Sequence, residues 1–206
     1  METTFPMRNF TDDLGINGHL TIIKKYTNGE EEIVFDDHNI IVSGMGVGLA
    51  YLFTGSGSNV ITDYQIDRFQ LGVSGKAALE VSTTNQLAGG LVESQYGTRS
   101  NLYIEQCTQI VADNFFNPSA FALIPANKVT KIRDNSVRYT LVVDEEACNG
   151  LTGEEGEDTY LNEVGLFMKN PTGSIVNASL LLAYRSFSII RKTNDFSLIF
   201  RWTLNF

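Results

Sequence analysis

The chain has two histidines, His19 and His38, and His38 directly follows Asp36 and Asp37. Imidazole beside carboxylate is a donor set used by metal sites and by general-base pairs. In an extended chain Asp36, Asp37 and His38 alternate faces, and no second histidine cluster completes a site. They therefore read as a turn between a strand and a helix. Gly44-Met-Gly46-Val-Gly48 invites a dinucleotide reading, but the fingerprint is G-x-G-x-x-G inside a strand–helix–strand unit, and neither condition holds. Glu145, Glu146, Glu154, Glu155, Glu157 and Asp158 gather around Gly150, Gly153 and Gly156. Calcium favours such clusters, yet the alternating EF-hand spacing is missing, so a solvated acidic loop is expected. No P-loop and no G-x-S-x-G elbow occurs. The expectation is a non-enzyme with no catalytic, cofactor-binding or metal residues and no cofactor.

Lys128, Lys131, Arg133 and Arg138 form one basic group, and Arg185, Arg191 and Lys192 form another. Both fall at predicted strand ends or turns, where solvated hairpin tips and edge protection explain them. The other reading is that they meet an acidic patch on a neighbour. Cys107 and Cys148 are the only cysteines; with no secretion signal, two buried free thiols are expected.

The elements that would hold these residues are mostly strands. From Phe196 to Phe206 every even position is large and apolar: Phe196, Leu198, Phe200, Trp202, Leu204 and Phe206. Ile199 alone breaks the alternation. Period two means a strand with one buried face, so a structural strand ending the chain is expected, which favours a scaffold over a catalyst. His19 to Tyr26 and Glu31 to Phe35 form a predicted hairpin about Asn28-Gly29, a pair that accepts positive φ. Ser43 can cap a helix running to Gly55; its three early glycines would be explained by close backbone packing. Strands are also expected over Ile66–Val73, Val129–Ile132, Val137–Val143, Leu161–Met168, Ile175–Tyr184 and Ser186–Ile190, and one helical turn at Thr84–Leu87. In the run Leu161 to Phe167, Glu163 shares a largely apolar face with Leu161, Gly165 and Phe167. It is a candidate buried polar residue needing a partner such as Arg185 or Arg201.

At 206 residues, 43% hydrophobic and 19% charged, the chain suits one globular domain. A mainly β fold is expected: an antiparallel β-sandwich or barrel-like sheet with one or two short helices. It would form one β-rich domain over 1–206, with room for an inserted lobe near 76–159. The net charge of −9 disfavours nucleic acid as a partner, and no apolar run is long enough to span a bilayer, so no membrane partner is expected.

Three segments together resemble small structural proteins of tailed bacteriophage virions, of the tail, baseplate, fibre-attachment or neck type. They are Phe35-Asp-Asp-His-Asn39-Ile-Ile-Val-Ser-Gly44-Met-Gly46, Phe69-Gln-Leu71-Gly72, and Leu161-Asn-Glu163-Val-Gly165-Leu-Phe167 with its continuation through Ala183–Phe187 and Ile190–Trp202. The likeness covers about 33–75 and 160–206. It implies a non-enzymatic structural protein, made in the host cytoplasm and placed in the virion. The implied partners are copies of itself, as a homo-oligomer, and other virion proteins. The alternatives are a host-surface carbohydrate-binding β-sandwich, with Tyr51, Tyr64, Tyr96, Tyr103 and Tyr160 as candidate surface groups, and a capsid decoration protein.

Overall fold

The computed structural model describes residues 15–41, 43–54, 61–72, 122–149, 159–169 and 179–206. Among these residues ten strands and one α-helix follow in chain order: β1 (Asn17–Tyr26), β2 (Glu31–His38), β3 (Ile40–Ile41), α1 (Ser43–Thr54), β4 (Ile66–Gly72), β5 (Ala122–Leu123), β6 (Val129–Arg133), β7 (Ser136–Val143), β8 (Thr159–Met168), β9 (Leu180–Lys192) and β10 (Phe196–Asn205). Short 3₁₀ turns occur at Ile61–Tyr64 and Ala126–Lys128. The strands form two antiparallel five-stranded sheets, in orders β2-β1-β10-β7-β6 and β3-β9-β8-β4-β5. The fold is the expected antiparallel β-sandwich with a short helix. The predicted turn at Thr84–Leu87 lies outside the described residues.

The alternation along β10 sets the core. Leu198, Phe200, Trp202 and Leu204 are fully buried and Phe196 nearly so. β1 and β7 flank β10 residue for residue, with Leu20 and Tyr139 opposite Trp202 and Ile22 and Leu141 opposite Phe200. The second sheet presents Phe69, Leu71, Leu161, Val164, Leu166, Leu182 and Phe187 to the same core. Aromatic rings bridge the layers: Trp202 lies 5.9 Å from Phe69, and Phe200 lies 6.4 Å from Phe187. Ile199 points the other way. Its register partners Ile23 and Val142, and Ile33 beyond Ile23, place an apolar stripe across the outer face of the first sheet. Phe206 departs from the expected pattern: it follows the last strand residue and is 45% exposed. Its backbone exchanges hydrogen bonds with Asn135 instead.

The β1–β2 connection is tighter in its demands than Asn-Gly suggested. Only Gly29 takes a positive φ, of 89°. The Gly29 N–H donates to Tyr26 O and the Tyr26 N–H to Glu30 O, the pattern of a type I turn closed by a glycine bulge. Asn28 serves through its side chain, whose Oδ1 accepts from the Glu30 N–H.

The chain changes sheets at Asn39. β2 ends at His38, and β3 then pairs Ile40 with Tyr184 and Ile41 with Ala183. Asn39 is buried at this corner, and its N–H donates to Gly18 O. A Cβ on Gly18 would lie 1.8 Å from Asn39 Oδ1, so the corner requires glycine there. The helix follows at once, with the predicted Ser43 as its first residue, and α1 packs on β9. Two of its three early glycines are explained by close approach. A Cβ on Gly44 would come 2.0 Å from the Leu181 carbonyl oxygen, and one on Gly48 would come 3.0 Å from the Met168 methyl. Gly46 meets nothing within 4 Å. β9 is one continuous strand over Leu180–Lys192, where two strands with a break at Arg185 were expected. The expected start at Ile175 lies outside the described residues.

These contacts separate three substitutions by urea denaturation. Trp202→Ala should cost about 3–5 kcal/mol through lost burial and a residual cavity. Gly44→Ala should cost about 1–3 kcal/mol, since the blocking atom is backbone and cannot rotate away. Gly46→Ala should add about 0.5–1 kcal/mol through helix propensity. Equal effects at Gly44 and Gly46 would contradict the packing of α1 on β9.

Candidate functional site: an interaction surface

Both histidines meet at the corner where β2 leaves the first sheet. His19 and His38 are register partners, and their rings pack edge to face with centroids 5.6 Å apart. Asp36 Oδ1 accepts a hydrogen bond from Thr21 Oγ1 at 2.7 Å and lies 3.7 Å from His19 Nδ1. Asp37 points to the other face, as the alternation requires, and pairs with Arg185 at 2.6 Å. The Arg185 guanidinium also stacks over Phe35, 5.2 Å from its centroid. The acids beside His38 are therefore divided between two faces and engaged in cross-strand bonds. Among the described residues no group of three His, Cys, Asp or Glu side chains is placed to hold a metal ion. The expected turn over Asp36–His38 is overturned: these residues are the end of β2, paired with β1, and Asn39 and β3 lie between them and the helix.

Glu163 is fully buried on β8, between Gly72 of β4 and Ser186 of β9. Its carboxylate accepts a hydrogen bond from the Tyr184 hydroxyl. Tyr184 stands opposite Gly165, where no side chain competes for space, and it reaches along the same face to Glu163. The anticipated arginine partners are elsewhere. Arg185 stands opposite Val164 and turns to Asp37, and Arg201 belongs to the first sheet. Neither Glu163 nor Tyr184 has solvent exposure, so this pair fixes how β8 and β9 align.

Lys192 is the main correction to the basic groups. It was expected at a solvated hairpin tip, yet it is 1% exposed. Its ammonium donates to the carbonyl oxygens of Glu145 and Thr193 at 2.9 and 2.8 Å and to Asn149 Oδ1 at 3.2 Å. Three donors find three acceptors, which offsets burial of the charge. The methylene stem lets the charge sit over Phe196, 5.5 Å from the ring centroid. Lys192 thereby ties the turn after β7, which carries the buried Cys148, to the start of β10. Glu154, Glu155, Glu157, Asp158 and Cys107 lie outside the described residues. Nothing in the sequence distinguished Lys192 from its exposed neighbour Arg191; only the register of a thirteen-residue β9 turns one inward and the other outward.

What remains on the surface is of two kinds. The outer half of α1 exposes Val47, Tyr51, Leu52 and Phe53, with Phe53 83% exposed. Among the described residues the outermost strands of the first sheet are β2 and β6. β2 is acidic, and its neighbour Tyr26 donates its hydroxyl to Glu32 at 2.8 Å. That bond raises the Tyr26 pKa, with the charges of Glu32 and Glu30 adding to it. β6 is basic and exposed throughout. The buried phenol of Tyr139, one strand inward, is pushed up to about 12 by burial alone. Of the tyrosines considered for glycan binding, Tyr51 is exposed on α1 and Tyr64 is half-buried. Tyr96 and Tyr103, and the side chain of Tyr160, lie outside the described residues.

No known protein family, curated protein or solved structure matches the chain. No described helix is long and apolar enough to cross a membrane.

Removing the phenol hydroxyl tests the buried pair. Tyr184→Phe should cost about 1–3 kcal/mol in urea denaturation, because Glu163 loses a donor it cannot replace with water. A neutral Tyr184→Phe would contradict a register role for the pair.

Proposed function

We propose that this chain is a non-enzymatic structural protein of a tailed bacteriophage virion, placed in the tail, baseplate or fibre-attachment region. It acts through self-assembly and contacts with neighbouring virion proteins. The observation that carries the reading is a division of labour among the described residues. Glu163, Tyr184 and Lys192 are enclosed and hold strands in register. The exposed features are sheet edges of opposite charge and an apolar helix end, which suit macromolecular contact better than turnover. The sequence likeness to phage structural proteins supports the same setting.

A glycan-binding sandwich would favour exposed aromatics gathered on one sheet. The outer face of the first sheet instead carries the aliphatic stripe of Ile33, Ile23, Ile199 and Val142.

The test is to purify intact particles of the phage that encodes the chain and analyse them by mass spectrometry and electron microscopy. The chain should be present in fixed proportion to tail components. Its absence from particles, together with hydrolysis of a host polysaccharide by the isolated protein, would replace the proposal with an enzyme.

A further inference from the structure

Among the described residues β2 and β6 pair on one side only, and these two edges of the first sheet carry opposite charge. Residues 28–38, which contain β2, hold Glu30, Glu31, Glu32, Asp36 and Asp37 and no lysine or arginine. Residues 127–133, which contain β6, hold Lys128, Lys131 and Arg133 and no acid. Part of this charge is already engaged: Asp36 with Thr21 and His19, Asp37 with Arg185, Glu32 with Tyr26, and Lys131 with Asp134 at 3.3 Å. Glu31, Lys128 and Arg133 make no ion pair among the described residues. Each edge also exposes an apolar side chain, Ile33 at 63% and Ile132 at 40%.

An outermost strand offers unpaired N–H and C=O groups to any strand that can approach. Charge decides which can. Two β2 edges repel each other, and so do two β6 edges, so an isologous contact between like edges is disfavoured. β2 against β6 is attractive. We propose that copies of this chain join edge to edge, the acidic β2 of one copy against the basic β6 of the next. This deepens the assembly reading above and rests on it.

The topology adds a direction. Every neighbouring pair in the sheet β2-β1-β10-β7-β6 is antiparallel and the strand number is odd, so β2 and β6 run the same way. Copies related by rotation about an axis along the strands therefore meet in parallel. Lys131 and Arg133 lie on β6 and Lys128 in the 3₁₀ turn that leads into it, so a parallel approach sets this basic run along the acids of β2. Because the contact uses two different surfaces of each copy, it is heterologous and repeats around a ring.

Sedimentation velocity on four samples tests this: the unaltered 22.8 kDa chain, Glu31→Lys/Asp36→Lys, Lys128→Glu/Arg133→Glu, and an equal mixture of the two variants. The unaltered chain should sediment as more than a monomer at about 0.05 M salt and dissociate toward monomer at about 0.5 M. Each variant alone should need about tenfold or more protein to associate. The first variant loses most of the negative charge of its β2 edge and the second has two acidic edges, whereas the mixture sets the intact β6 of the one against the intact β2 of the other; association should therefore recover, which also shows that both are folded. A wild-type monomer at every concentration, variants that associate like wild type, or a mixture that stays dissociated would each overturn the contact. A chain found in particles but monomeric in solution would sink this contact and leave the virion reading standing. The mixing pattern in a chain missing from particles would do the reverse.

Discussion

The packing of β10 against everything around it is the constraint on which the rest of the structure depends. β10 is the middle strand of the first sheet, so its backbone groups are satisfied on both sides, by β1 and by β7. Its inward face carries Phe200 and Trp202, whose rings meet Phe187 and Phe69 of the opposite sheet. One strand thus closes the sheet laterally and the sandwich vertically. Trp202 Nε1 is buried with no acceptor among the described residues, so Trp202 contributes through apolar burial and ring packing and not through a polar anchor.

The polar interior is arranged around that core and sets register. Glu163 with Tyr184 aligns β8 with β9, and Lys192 fastens the turn after β7 to the strand entry at Phe196. Gly18 leaves open the volume that the Asn39 side chain fills at the corner where the chain passes between sheets. Antiparallel pairing alone tolerates slippage, and a slip of one residue would turn every buried side chain outward. A buried polar group left without its partner makes such a slip costly. The interior is committed to one alignment, and adaptable chemistry is left to the edges and to the end of α1.

Much of this was legible in the sequence because period two is a local signal. The β10 alternation, the β6–β7 hairpin and the β8 strand follow from it directly, and Glu163 stood out as a charge on an apolar face. Its partner was not legible, since Tyr184 lies across the sheet and only register brings it near. Ile199 looked like a flaw in the pattern and proves to belong to a stripe on the other face, which needs four aligned strands to exist. Lys192 was misplaced at a tip because a charge at the end of an apolar run is usually solvated. The three glycines of α1 were read together, whereas close approach explains two of them. The virion reading draws on likeness and on surface character, and lies a step beyond what pairing and burial can give.

If β10 holds both layers together, its amides should open last. Native-state hydrogen exchange measures this residue by residue. The amides of Leu198 to Leu204 should exchange only through global unfolding, with a denaturant dependence matching that of the whole protein. Those of β2 and β6 should exchange through smaller local openings. Protection in β10 no greater than in β6 would show that the sandwich does not hang on its central aromatic strand.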